Sequence, residues 1–244
     1  MTAPSASIPA DEIATRVALT DWEAAHRELD DRGFATIRPL LNAKECAAVA
    51  RSYEEALFRK HIVMAKHGYG AGDYKYFAYP LPPFVQVLRE TIYPHLVDCA
   101  NRWEADLGRP RRYPPTLSAF TAECHAANQT RPTPLILRYE AGGYNRLHQD
   151  LYGDIHFPLQ LAILLSRPRH DFTGGELVLT EQRARMQARP HVVPLDQGEA
   201  VVFAVHDRPV EGARGPVRSR MRHGVSTVRS GTRITLGIIF HDAA

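Results

Sequence analysis

Two histidines and one carboxylate carry the most specific chemistry in this 244-residue sequence. His148 and Asp150 stand two apart in LHQD, so on an extended segment both side chains point to the same side. His223 follows after a long gap, in RHGVS. Two imidazoles and a carboxylate on one face of an octahedron hold Fe(II) and leave three positions open for small molecules. The HxD pair alone decides nothing, because a chain with 12 histidines meets it by chance about 0.6 times. Its setting adds the weight. A strand pattern ending in Gly142-Gly143 leads into it, His223 precedes a glycine turn, and the last strand pattern holds Arg233 and Thr235 facing one way. Taken singly, the same residues also read as a loop histidine, a solvated acid, a turn histidine and a β-prone threonine.

The elements that must position these groups change character near residue 130. Before it, Asp11 to Asp31 has helical apolar spacing, Gly33 to Pro39 is a short strand, and Asn42 to Lys60 is a helix capped by Asn42. Pro83 to Leu107 is a long helical stretch that Pro94 should kink or break, and Pro114-Pro115 announces a helix from about Thr116 to Ala127. After Pro134 come six strand patterns bounded by glycine and proline: LILRY, FPLQLAILLS, GGELVLT, HVVPL, EAVVFAV and TRITLGIIF. Residues 1–130 therefore form a helical region with one or two strands, and residues 131–244 a barrel or jelly roll. No Ser, Gly or Pro linker separates them, so the expectation is an α+β fold in one integrated domain, with the helical layer packed on one face of the sandwich.

Composition limits the classes. At 44% hydrophobic and 23% charged residues the chain is globular, neither disordered nor fibrous. No apolar run is long enough to span a membrane, and MTAPSASIPADEIATRV lacks the basic start and apolar core of a signal peptide, so a cytoplasmic location without membrane partners is expected. Cys46, Cys99 and Cys124 are too few and too scattered for a disulfide framework and read as reduced thiols. Arginine far outnumbers lysine, which suits anionic ligands without requiring them.

With these residues in place, the C-terminal half resembles the double-stranded β-helix of the Fe(II)/2-oxoglutarate-dependent oxygenases, whose pattern is HxD, a long gap, His, then a basic residue in the last strand. The resemblance implies His148, Asp150 and His223 as catalytic metal ligands, and Arg233 with Thr235 as the holder of the distal carboxylate of 2-oxoglutarate. RYEAGGYNRLHQD is similar to the RYxxGxxxxLHQD segment of AlkB-type nucleic-acid demethylases and RITL to their RxNL, which adds Tyr139 as a cosubstrate hydrogen-bond donor. HQDLYGDIHFPLQ, FTGGELVLTEQRARMQ and RHGVSTVRSGTRITLGIIFHDA resemble a prokaryotic oxygenase family described as acting oxidatively on damaged DNA, over most of the chain from about residue 61. Implied cofactors are Fe(II), 2-oxoglutarate and O2. The implied activity is oxidative demethylation of alkylated DNA or RNA bases, releasing formaldehyde, succinate and CO2, with no obligate protein partner. Two departures bear on the substrate: Tyr152 stands where AlkB-type enzymes have an acid that reads the base, and Ile239 where they have a second arginine.

Further candidates stay open at this stage. Tyr152 could stack on a base. Residues 67–80 interleave Tyr74, Tyr76 and other aromatics with three glycines, which suits either a lid over a flipped base or a seal between helices and sheet. Arg222 and the arginines before it could track phosphates or form a solvated loop. Gly174-Gly175-Glu176 reads as a hairpin turn, and Tyr139 equally as a core aromatic. The HGV, SGTR and GIIF ending also resembles the prolyl hydroxylase branch, which implies a protein side chain or metabolite as substrate. A cupin-like metal sensor, against which Arg233 argues, and a purely structural sandwich complete the alternatives.

Overall fold

The computed structural model describes residues 8–244, so the first seven residues of the N-terminal stretch noted above lie outside the described residues. Five helices, α1 (Ala10–Ala18), α2 (Trp22–Arg32), α3 (Ala43–Arg51), α4 (Pro83–Asp106) and α5 (Leu117–Ala126), fall in the first half. The strands are β1 (Phe34–Ile37), β2 (Phe58–Val63), β3 (Gly70–Ala71), β4 (Asp73–Phe77), β5 (Leu135–Glu140), β6 (Tyr144–His148) and β7 (Leu159–Leu164). They continue as β8 (Phe172–Gly174), β9 (Leu177–Arg183), β10 (Arg189–Val193), β11 (Ala200–Ala204), β12 (Asp207–Val210), β13 (Val217–Val225) and β14 (Val228–Ile238). One sheet runs β1-β11-β7-β14-β5-β4-β2, with β8 also pairing β14; the other runs β10-β9-β13-β6-β3, with β12 also pairing β13. All these pairings are antiparallel, giving the jelly-roll sandwich with helices added.

Several sequence expectations are corrected. The helical stretch from Asp11 breaks into α1 and α2, because the Asp21 carboxylate caps the second helix by accepting from Ala24 N at 2.9 Å. Asn42 does cap α3, with Glu45 completing the box, but the helix stops at Arg51. The Ser52 hydroxyl donates to the Val49 carbonyl at 2.7 Å, and Phe58 and Ile62 are taken by antiparallel pairing with Phe77 and Tyr74. The first half thus contributes four strands, not one or two. Three of them, β1, β2 and β4, extend the larger sheet. α4 runs through Pro94 without a break. Residues 67–80 are no separate lid: β4 is bonded to β5 on one side and β2 on the other, burying Tyr76 and Phe77 and leaving Tyr69 and Tyr79 exposed. β6, β8, β12 and β13 escaped the apolar patterns because polar or charged residues alternate along them or they are short.

A single buried cluster joins the helices to both sheets. At its centre Tyr93 of α4 meets Phe157 at 4.9 Å between ring centroids, and Phe157 meets Phe240 at 5.4 Å. Glu45 ties α1 to α3 by accepting both guanidinium arms of Arg16 at 2.7 Å. At the far edge, Arg89 of α4 pairs with Asp242 at 3.2 Å, both side chains almost wholly buried. Tyr79 and His125 also reach the Asp242 carboxylate, so one acid fastens two helices to the end of β14. The three cysteines are free and buried. Among the described residues no helix is long and apolar enough to cross a membrane.

Asp242→Ala strands the Arg89 cation in the interior, which should cost about 3–5 kcal/mol and lower Tm by roughly 6–20 °C. A thermal melt within about 2 °C of the parent contradicts this account of the helix attachment.

Candidate metal and carboxylate site

Two cross-strand pairs, one in each sheet, build the site. In the smaller sheet His148 of β6 lies directly opposite His223 of β13. In the larger, Arg233 of β14 lies directly opposite Tyr139 of β5. Both pairs face the space between the sheets, a cavity of about 410 Å³ that the four side chains line together with Asp150 and Thr235. That volume lies in the range of small-ligand pockets. Much of the remaining wall is apolar, including Leu137, Leu161, Phe203 and Ile239.

At one end, single ligand atoms of His148, Asp150 and His223 all lie within 4.8 Å of one another. The Asp150 oxygens are 3.4 Å from His148 Nε2 and 3.3 Å from His223 Nε2, so both ring nitrogens converge on the carboxylate. His148 Nδ1 bonds the Arg146 carbonyl at 2.7 Å, which makes Nδ1 the protonated nitrogen and leaves the Nε2 lone pair for a metal. Burial opposes charge on Asp150, yet the facing imidazoles of His223 and His148 hold its carboxyl well below the usual range. Burial and the nearby His148 lower His223, whereas for His148 burial is outweighed by Asp150 and the ring is more basic than usual. Two nitrogens and one oxygen converging in a part-buried pocket fit an octahedral Fe(II) with open positions.

Two further groups orient the carboxylate. The Tyr152 hydroxyl donates to Asp150 Oδ1 at 2.7 Å, and Gln160 Nε2 donates to Oδ2 at 3.0 Å. Tyr152 therefore holds the acid, with its ring edge-on to Tyr76 at 6.1 Å, instead of presenting a free stacking surface. Gln160, on β7, was invisible to sequence reasoning, since an amide has no motif; only its alternate place on an otherwise apolar strand sets it apart.

At the other end Arg233 is 4% exposed, and its Nη1 donates to Thr235 Oγ1 at 2.5 Å. Arg89 and Arg208 are the other arginines buried this deeply among the described residues, and each has a carboxylate within 4.0 Å, Asp242 and Glu181. Arg233 has none. Burial lowers its basicity, Tyr139 and the more distant Glu176 act against that, and an arginine stays charged, so the cavity holds a cation with no ion-pair partner at contact distance. Tyr139 is wholly buried, with its ring 5.9 Å from the Arg233 guanidinium and its hydroxyl accepting from Asn145 at 3.3 Å. Two glycines admit these groups. A Cβ on Gly175, at φ +65, would come within 2.9 Å of Arg233 Cδ, and one on Gly72 within 2.7 Å of the Tyr139 ring. Gly174 and Gly175 do not close a hairpin: they carry the chain from β8, paired in one sheet, to β9 in the other.

Of the remaining candidates, Tyr74 lines the cavity, whereas Tyr76 lies behind it in a small apolar cluster with Ile62, Leu135 and Ile239. Arg222 does not join the site; it points outward from β13, on the face opposite His223.

Residues 72–243 match a family, Oxygenase-NA, described as an oxygenase catalysing oxidative methylation of damaged DNA. An uncharacterized protein of Mycobacterium tuberculosis is 49% identical over 168 residues, 69% of this chain and 72% of the relative. Among solved structures, an oxidoreductase of the 2OG-Fe(II) oxygenase family from Burkholderia pseudomallei superposes with a TM-score of 0.54 at 17% identity, covering 91% of this chain and 93% of the other. A prolyl 4-hydroxylase from Phytophthora capsici gives 0.52 at 14% identity, covering 100% of this chain and 68% of the other. The epimerase SnoN from nogalamycin biosynthesis, described as non-heme and alpha-ketoglutarate dependent, gives 0.53 at 13%, covering 89% and 81%. At these identities the likeness is one of fold.

Tyr152→Phe removes one of the two bonds that orient Asp150 and should weaken Co(II) or Fe(II) binding about 10- to 100-fold with the fold intact. Unchanged metal affinity in a calorimetric titration would return Tyr152 to the role of a cavity wall.

Proposed function

The chain belongs to the Oxygenase-NA family, and from that membership we propose that it is an Fe(II)- and 2-oxoglutarate-dependent dioxygenase that removes alkyl groups oxidatively from damaged nucleic-acid bases. His148, Asp150 and His223 hold the iron. Arg233 forks the distal carboxylate of 2-oxoglutarate, Thr235 orients the guanidinium, and the Tyr139 hydroxyl supplies a further donor at the same wall. With O2, the bound iron and 2-oxoglutarate supply hydroxylation of a substrate C–H bond, coupled to release of succinate and CO2. On a base N-methyl group the product is an N-hydroxymethyl, which loses formaldehyde and leaves the N–H.

One observation supports this above the others: the buried Arg233 cation shares a cavity with the three metal-ligand side chains and, among the described residues, has no carboxylate within 4.0 Å. A dicarboxylate that also chelates the metal satisfies both ends at once, whereas a metal sensor or structural sandwich leaves a buried charge without use. The residues act by placement. Tyr152 and Gln160 keep the Asp150 carboxylate turned toward the histidines, and the apolar wall of Leu137, Leu161 and Phe203 excludes water from the reacting end. A nucleic-acid substrate is favoured by the family description and by the rim, where Tyr69 and Leu147 are exposed yet line the cavity and offer a base an apolar surface.

Arg233→Met should weaken 2-oxoglutarate binding roughly 10- to 150-fold, the loss of a charge-assisted pair worth about 1.5–3 kcal/mol, without changing Co(II) affinity. A variant that binds 2-oxoglutarate as tightly as the parent refutes the clamp. His223→Ala should lose iron at stoichiometric metal. For the reaction itself, succinate and formaldehyde are measured with an N-methylated single strand, the unmodified strand and no substrate. Formaldehyde that requires the methylated strand is expected. Equal succinate in all three arms retires these substrates, and 2-oxoglutarate turnover absent from every arm retires the oxygenase assignment.

A further inference from the structure

We propose that the outer face of β13 is a phosphate track, on which Arg218, Arg220 and Arg222 hold the backbone of a single-stranded nucleic acid leading to the cavity mouth. This rests on the nucleic-acid reading above and adds where the strand runs. β13 has two opposite faces: Ser219, Met221 and His223 are buried, and the three arginines between and before them turn outward. Once His223 faces the metal site, the two-residue period of a strand puts the arginines on the other side in one row. Neighbours in that row are roughly 7 Å apart, comparable with successive phosphates of an extended strand.

The row is concave and short of counter-charge. With Arg183 of β9, Gln182 and Ala184 it lines a surface cleft of about 210 Å³. Arg183 is matched by Glu181 at 2.9 Å. For the other three, one buried acid is in reach: Asp207 lies 3.9 Å from Arg218 and 4.0 Å from Arg220, and it is already held more closely by Arg109. Arg222 has no carboxylate within 4.0 Å among the described residues. Like charges held side by side with spare donors suit an anion that presents charges at the same repeat, and the guanidinium fork matches phosphate oxygens.

The row also leads to the right place. Arg222 is one residue from His223, and Gln149, which lines the cavity, bonds the neighbouring Met221 carbonyl at 2.7 Å. Past Gln149 the rim exposes Leu147 and Tyr69. A strand held by its phosphates along β13 thus meets apolar surface for its bases where the cavity opens.

The test is fluorescence anisotropy of a labelled, unmodified oligothymidylate of about 12 nucleotides, titrated at several NaCl concentrations. The doubly substituted protein Arg218→Gln, Arg222→Gln should bind more weakly and lose roughly 1.4 from the slope of log affinity against log salt, about 0.7 for each phosphate contact on a single strand. Arg51→Gln removes one arginine charge from α3, on the other sheet, and should leave the slope unchanged. A double variant with the parent slope, or an Arg51 variant with an equal loss, overturns the track. A parent that binds 2-oxoglutarate by calorimetry but no oligonucleotide overturns the track and the substrate class together. A parent that binds no 2-oxoglutarate in the presence of Co(II) overturns the oxygenase reading beneath them.

Discussion

The register of two antiparallel strand pairs is the constraint on which the rest depends. Slipping β13 against β6 by one residue would turn His223 to solvent and an arginine into the cavity; slipping β14 against β5 would do the same to Arg233. The two pairs lie in different sheets, so neither can set the distance between metal ligands and carboxylate clamp. That distance is set by the packing of one sheet on the other. The aromatic centre of Tyr93, Phe157 and Phe240 and the Arg89–Asp242 pair hold helices against the larger sheet. Their contribution to function is rigidity in the wall that carries Arg233.

Buried charge separates structural from functional residues here. Arg89 and Arg208 lie as deep as Arg233, and both are neutralised by a carboxylate and by backbone carbonyls. Their burial is a matter of fold. Arg233 and the His148–Asp150–His223 cluster are instead polar groups gathered around open volume. A fold tolerates such groups where a ligand completes them, and that is the physical sense in which the cavity is a site. The glycines at 72 and 175 belong to the same logic, since each removes a side chain where the backbone passes close to a clamp residue.

β13 serves two surfaces at once. Its inner face carries His223 into the cavity, and its outer face carries three arginines with little acid to balance them. Strand periodicity couples the two, so any change of register that disturbed the metal site would also scatter the basic row. The proposed metal ligand and the proposed phosphate contacts are thereby placed on opposite faces of one strand.

How much was legible beforehand follows from what each residue needs around it. The ligand types, the HxD spacing and the arginine two before a threonine could be read directly, because a strand's two-residue period converts spacing into facing. So could the jelly-roll class and the α+β balance, from the density of turn-bounded apolar runs after Pro134. The break between α1 and α2, set by the Asp21 cap, the end of α3 at Arg51, and the conversion of residues 58–77 into sheet by the pairing of β2 with β4 and of β4 with β5 were not. Tyr152 had the right neighbourhood, but its hydrogen bond to Asp150 and its edge contact with Tyr76 could not be read from spacing. Gln160 and the missing partner of Arg233 could not be foreseen at all. By itself the sequence determined which side chains were available and which way each would face along its own strand. Only the tertiary structure decided which met across the sandwich, because inter-sheet distance and charge compensation are properties of the packed core and of no segment alone.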